Sequence, residues 1–257
     1  MRIAARAHEV DRYLSALLSP RAVREDLIAL AAFAGEVGRI PIYVREPMMG
    51  RIRLQWWRER IETATSGGHP VAAAIIATAS RHNLPTERLL ALIDAHEDSL
   101  DGHPFADDAA LLGYIDRIDG GLFAIAGEVL GGTASPAFIT DAGRAYGLAR
   151  LALEAPAAKS HGRTLLPVAA RPEGAEAPEP DSDPSRLATM ARHYLAASAV
   201  VLSGLPRRIR GAYLPIALVE PYLQALEHKQ MLPGVVRDIQ PLTRAWRLLR
   251  CRWTGLV

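Results

Sequence analysis

The chain has 257 residues, 49% of them hydrophobic and 23% charged, with a formal net charge of +2. That balance excludes intrinsic disorder, and the length is enough to bury a large core. Only Lys159 and Lys229 of the 30 basic residues are lysines, an arginine bias more in keeping with genome composition than with nucleic-acid binding. Cys251 stands alone, which excludes an internal disulfide and suits a reducing compartment.

Strand signals are nearly absent and helix signals recur from end to end. The segment from Met1 to Arg12 carries Glu9 and Asp11 with no apolar run after its arginines, so it reads as neither a signal nor a transit peptide. Helices are expected over 8–18, 21–40, 48–66, 70–82, 86–101, 108–131, 136–155, 185–203, 207–229 and 241–250. Ser19-Pro20, Ser135-Pro136 and Asp183-Pro184 each pair a capping side chain with a proline suited to the first helical turn. Gly67-Gly68 and Gly131-Gly132 follow periodic segments as helix stops do. Leu27, Leu30, Ala31 and Ala34 share one face, as do Leu89, Leu92, Ile93 and Leu100. The greasiest stretch, Pro70 to Ala79, is too short to span a bilayer. Arg171 to Pro184 gathers Pro172, Pro178, Pro180 and Pro184 with a cluster of acids, which predicts an exposed loop inside one continuous helical domain spanning 1–257.

Several constellations invite a chemical reading. Asp94 and Asp98 form a four-spaced acidic pair, extended by Glu97, Asp101 and His103; they suit a magnesium site or, more simply, the polar end of an amphipathic helix. Asp116 and Asp119, with Arg117 between them, read as surface residues. Gly120-Gly121 is better explained by close helix packing than by phosphate binding. The densest basic and aromatic cluster is Arg51, Arg53, Trp56, Trp57, Arg58 and Arg60. Its arginines read as solvated, with Arg53 and Trp57 kept as candidates to line an anion- or ligand-binding cavity. The tail from Arg244 to Trp253 alternates arginines with tryptophan and leucine. It either rests on an anionic membrane or docks on the bundle with its arginines in water.

Four stretches occur in an order that resembles the squalene/phytoene synthase superfamily. They are Asp11 to Pro20 followed by Arg24 and Leu30 to Phe33; Leu54 to Ile61; Tyr114 to Gly120 with Glu128 to Gly131; and Tyr146-Gly147 leading to Gly162 through Pro167. A weaker echo lies at Tyr213 to Pro215 and Tyr222-Leu223. The resemblance implies an all-α, isoprenoid-synthase-like bundle around a central apolar cavity. Active members condense two prenyl diphosphates, using magnesium held by two aspartate-rich motifs on facing helices. Hard oxygen ligands suit that ion, and the ion neutralises the departing diphosphate.

This chain departs from that pattern. Counted from Phe33, the first motif's acids should fall at Gly38, Arg39 and Ile42, and Glu36 is the nearest carboxylate. Counted back from Gly162 and Pro167, the second motif's acids should fall at Glu154 and Ala158, with Pro156 expected to kink or end the helix between them. Glu36 and Glu154 are therefore the only candidate catalytic acids, and no cofactor is expected. The pattern is similar to the non-catalytic branch that includes a mitochondrial assembly factor for respiratory complex I. On that resemblance, Arg39, Arg53, Trp57, Lys159 and Arg163 are candidate ligand-binding residues, Arg163 standing where active relatives carry a base near the diphosphate. The expected role is a lipid- or partner-binding factor for a respiratory membrane complex, cytoplasmic or peripheral on the inner face of the membrane. Its cavity would hold an isoprenoid, or have filled with side chains. The alternative is an active, magnesium-dependent, head-to-head prenyltransferase that uses Glu36, Glu154 and the Asp94/Asp98 pair.

Overall fold

The computed structural model describes residues 1–44, 46–160, 184–227 and 238–257. The loop expected at 171–184 falls almost wholly outside this set, as does Arg163. Lys159 lies at the end of a described helix, but its side chain is outside the described ones.

Every regular element among the described residues is helical. In chain order they are α1 (Arg2–His8), α2 (Val10–Leu17), α3 (Arg24–Gly38), α4 (Ile40–Tyr43), α5 (Pro47–Glu62), α6 (Pro70–His82) and α7 (Thr86–Asp98). Then follow α8 (Asp108–Ile115), a π-helical turn (Asp116–Gly120), α9 (Gly121–Val129), α10 (Pro136–Ser160) and α11 (Pro184–Gly204). The chain finishes with α12 (Arg207–Arg210), a 3-10 segment (Gly211–Leu218), α13 (Val219–Glu227) and α14 (Pro241–Thr254). No described helix is long and apolar enough to cross a membrane.

Two helices organise the bundle. In α3, eleven of fifteen residues are buried, from Asp26 to Gly35 and again at Val37, so it is apolar nearly all round, as a central helix must be. It packs on α1, α2, α6 and α9, while α10 packs on α11, α13 and the π-helical turn. Asp26, in the first turn of α3, accepts hydrogen bonds from Thr78 and from His82 at 2.8 Å and pairs with Arg81, tying α3 to the end of α6. Burial alone would raise the Asp26 carboxyl, but His82 and Arg81 outweigh it and hold it below its ordinary value.

Several expected boundaries shift for identifiable reasons. The amino terminus is helical from Arg2, and Glu9 (φ −137°, ψ 57°) separates α1 from α2 where one helix over 8–18 was expected. The helix expected over 207–229 breaks into three pieces, because Pro215 has no N–H to donate within it. The helix expected to kink or end at Pro156 keeps its helical backbone to Ser160. Ser135 caps α10 by accepting from the Phe138 N–H, as predicted, whereas the Ser19 hydroxyl donates back to the Ser15 carbonyl instead of capping the next turn. Gly67, Gly68 and Gly131 all have positive φ, which is what a helix stop asks of glycine.

Gly120 meets α10 at very close range. A Cβ placed on Gly143 would lie 2.7 Å from the Gly120 backbone nitrogen, and one on Gly147 would lie 2.7 Å from a carboxylate oxygen of Asp119. These two glycines, one turn apart on α10, form a notch into which the π-helical turn sinks. The packing expected of Gly120-Gly121 is thus realised at Gly120.

Candidate functional site

The notch turns Asp119 inward. The expectation that Asp116 and Asp119 are surface residues fails for Asp119, which is buried and receives a hydrogen bond from Arg12 Nη2 at 2.6 Å. Asp116 pairs with Arg144 at 2.7 Å, and Arg117, their supposed neutraliser, reaches Asp98 instead. A π turn adds one residue to a helical circuit and so re-aims the side chains that follow it.

Arg12 is buried with Asp119. Its Nε lies 3.3 Å from Glu9, and its guanidinium stands over the rings of Phe123 (4.8 Å) and Tyr146 (5.4 Å). Glu9, placed by the break between α1 and α2, also accepts from Arg150 of α10 at 3.0 Å. Arg150 in turn lies 3.6 Å from Glu154, one turn along the same helix. Next to this group, Asp11 accepts from Tyr146 at 2.7 Å, from Tyr222, and from Arg244 Nε at 2.7 Å. Arg244 is held further by Asp238. Four helices (α2, α10, α13 and α14), the α1–α2 junction and the π turn thus feed one polar centre in an otherwise apolar bundle, with cations and carboxylates alternating.

Burial is the dominant influence on the charges here. It pushes the Asp119 carboxyl up, against the pull of Arg12 and Arg150. Desolvation also raises Glu154, opposed by Arg150 and assisted by Glu9 and Asp119. Its side chain is 47% exposed, so solvent reaches it. Burial lowers His96 to about 4, so its imidazole is neutral at physiological pH, and it raises Tyr114 to about 12. Burial by itself would lower Arg150; Glu9, Tyr146, Glu154 and Asp119 together hold it well above its ordinary value.

Glu36 belongs to the opposite flank of the His8-Glu9 junction. It lies 3.7 Å from Arg39, and Arg39 Nη1 lies 3.3 Å from His8 Nε2 and over the ring of Tyr43. Residues 8 and 9 therefore sit between α3 and α10, joining Arg39 on one side to Arg150 on the other. The missing Gly35 side chain makes room for them: a Cβ there would come within 2.7 Å of the His8 Cβ.

The other sequence-derived candidates lie elsewhere. Asp94 pairs with Arg58 at 2.6 Å and Asp98 with Arg117 at 2.6 Å, both at the surface. Arg53 is exposed on α5. Trp57 is buried edge-on against Phe33 at 5.4 Å and against Trp56 and His69, so it is a core residue rather than the wall of a shared site with Arg53. A shallow outer groove of about 420 Å³ runs between α5 and α7, lined by Arg51, Trp56, Arg58 and Glu97. Between α2, α3, α9 and the 3-10 segment, beside Arg12, Leu30 and Leu122, the packing leaves a space of about 20 Å³, enough for one water molecule.

The donor set at the two motif positions does not suit magnesium. A hard divalent cation needs several oxygen ligands free to turn toward it. Here Glu36 lies beside Arg39 and Glu154 beside an Arg150 that it shares with Glu9, and among the described residues no three His, Cys, Asp or Glu side chains converge as metal ligands would. The sequence assigns no site role to Glu9, Arg12 or Arg150, and its pattern puts Asp119 at the surface. Glu9 and Arg12 lie on either side of Asp11 at the start of the first family-like stretch, but only the break at Glu9 and the π turn bring their partners within reach.

Comparison with known proteins adds three findings. The family model described as squalene/phytoene synthase matches residues 5–247. Curated proteins named as NADH dehydrogenase (ubiquinone) complex I assembly factor 6 are similar over 129 residues: 30% identical in Bos taurus and 29% in Homo sapiens. That match covers 49% of this chain and only 39% of each relative's length. The fold superposes on the crystal structure of squalene synthase HpnC from Alicyclobacillus acidocaldarius with a TM-score of 0.71 and 19% identity, covering 89% of this chain and 92% of that one.

Proposed function

The chain belongs to the squalene/phytoene synthase family, and from that premise we propose that it is a non-catalytic member acting as a partner- or lipid-binding factor in the assembly of a respiratory membrane complex. One observation carries this reading: Glu154, the one motif acid that survives, and Glu36, the carboxylate nearest the first motif, both face arginines. An ion pair of this kind compensates the charge that a metal would otherwise supply. The same protein would then present Arg39, Arg150 and His8 to an anion directly. The mammalian relatives that carry the assembly-factor name support the choice of process. The water-sized space inside the α2–α3–α9 layer favours a protein partner over a long prenyl chain at that place, since drug-sized ligands need roughly 300 Å³ or more.

The competing reading is a magnesium-dependent prenyltransferase, and its signature is product. Purified protein incubated with farnesyl or geranylgeranyl diphosphate and magnesium should yield neither condensed hydrocarbon nor released diphosphate. Magnesium-dependent turnover that disappears in Glu36→Gln or Glu154→Gln would overturn the non-catalytic reading. For the assembly role, loss of the encoding gene should reduce the amount of assembled complex on native gels, and Glu154→Gln should restore it as well as the native chain does. An unchanged level of complex would remove the assembly role.

A further inference from the structure

Helix α14 carries two opposed faces. Arg244, Leu248 and Cys251 point into the bundle, against the 3-10 segment and α2. Leu242, Trp246, Leu249 and Trp253 recur at intervals of four, three and four, so they form a single stripe on the other side. The stripe is open: Leu242 is 82% exposed, Trp246 63% and Trp253 61%, and Leu256 extends it beyond the helix end. At about 1.5 Å per residue it runs for roughly 16 Å. Among the described residues, the one ring contact made by these two tryptophans is that of Trp253 with Arg207.

The charge around the stripe is of one sign. No aspartate or glutamate occurs from Ile239 to Val257. Successive helical residues are about 100° apart, which places Arg250 and Arg252 on the two flanks of the stripe. α12 adds Arg207, whose guanidinium stands 5.6 Å over the Trp253 ring, and Arg208. Among the described residues, none of Arg207, Arg208 and Arg247 pairs with an aspartate or glutamate, while Arg250 donates to the Val257 main-chain oxygen at 3.1 Å and Arg252 to the Leu18 and Arg207 carbonyls; Arg58, Arg144, Arg192 and Arg244, by contrast, each meet a side-chain carboxylate. The effect is felt at Arg252, which burial and then the nearby charges of Arg210 and Arg207 lower below its ordinary value.

We propose that this face of α14, with the α12 arginines beside it, seats the protein on an anionic lipid bilayer. Indoles and leucines at the centre would enter the head-group layer, and the flanking guanidiniums would meet lipid phosphates. Charge complementarity selects this occupant. A second copy of the same surface would bring two arginine clusters face to face, which a two-fold interface penalises. The sequence left open whether the tail docks or touches a membrane; the helix docks with one face and leaves the other free to do so.

The test is co-sedimentation of the full chain with vesicles of phosphatidylcholine alone and of phosphatidylcholine with about a third phosphatidylglycerol. Binding should be about tenfold or more tighter to the anionic vesicles and should weaken steeply in high salt. Trp246→Ser with Trp253→Ser should cost about tenfold in partitioning, and Arg247→Glu with Arg250→Glu at least as much. Circular dichroism checks that each variant folds. Leu242→Ser, at a site outside the core, provides a second variant that should weaken binding without any burden on folding. Equal binding to both vesicle types, or binding undiminished in these variants, overturns the proposal. So does an absence of vesicle binding accompanied by self-association or by capture of an acidic protein on this face.

Discussion

Two groups of acids in this molecule look alike in sequence and behave oppositely in the fold. Asp94 and Asp98 have the four-residue spacing of a helical ligand pair, yet each lies at the surface with an arginine of its own, Arg58 or Arg117. Glu9, Asp11 and Asp119 have no motif spacing, yet they converge at the centre of the bundle with Arg12, Arg150 and Arg244. Spacing along one helix shows which side chains can share a face. It does not show whether that face is turned inward. In water the surface pairs are screened and nearly neutral in energy, while the buried ones are held in a medium where an unpaired charge is costly.

The largest expected effect separates these groups directly. Asp11→Ala removes the common acceptor of Tyr146, Tyr222 and Arg244 and leaves a buried guanidinium poorly compensated. It should destabilise the fold by about 3–5 kcal/mol in urea unfolding, with an unchanged m-value. A loss below about 1 kcal/mol would erase the distinction between centre and surface.

A second contrast sets His96 against the carboxylates around it. The native imidazole is lowered to about 4, so between its ordinary 6.5 and about 4 the unfolded chain takes up a proton that the native chain refuses. Its contribution therefore falls as the pH drops through that window, by about 3 kcal/mol in all. Asp119 and Glu154, both raised, act in the other direction, because the native state holds their protons more tightly than the unfolded chain. Comparing urea stability of the native chain with His96→Phe from pH 7 to pH 4 isolates the histidine. The variant should gain relative to the native chain as acid is added. Parallel curves would show that His96 is not buried neutral.

The smallest effect is expected at the surface pairs. Asp94→Ala and Asp98→Ala should each change stability by less than about 1 kcal/mol. A loss comparable to that of Asp11→Ala would mean that the four-spaced pair has a structural role its exposure does not suggest.

Much of the architecture was legible beforehand. The absence of strands among the described residues, the Ser135 cap and the glycine stops follow from local rules, and α6 begins and ends where its periodicity places it. The departures occur where local rules compete. Pro215 divides a stretch whose apolar pattern is continuous, and Glu9 interrupts a stretch with no glycine or proline to announce the break. The candidate site was legible only in part. Glu36 and Glu154 were found by counting from family landmarks, and Arg39 does stand beside Glu36. An aromatic among arginines looks the same on a ligand wall as in a core, so the sequence leaves Trp57 a cavity candidate; its contacts with Phe33, Trp56 and His69 place it in the core.

By itself the sequence determined the helical class, the family and the loss of the acids expected at Gly38, Arg39, Ile42 and Ala158, because composition, periodicity and residue identity are properties of the chain. Tertiary structure decided which of the remaining charges meet. The glycine notch on α10 admits the π turn that carries Asp119, and the break at Glu9 sets residues 8 and 9 between Arg39, at the end of α3, and Arg150 of α10. Those pairings span more than a hundred residues, as with Arg12 and Asp119 or Glu9 and Arg150. Electrostatic energy depends on distance and on exclusion of water, and neither is fixed until the helices have packed.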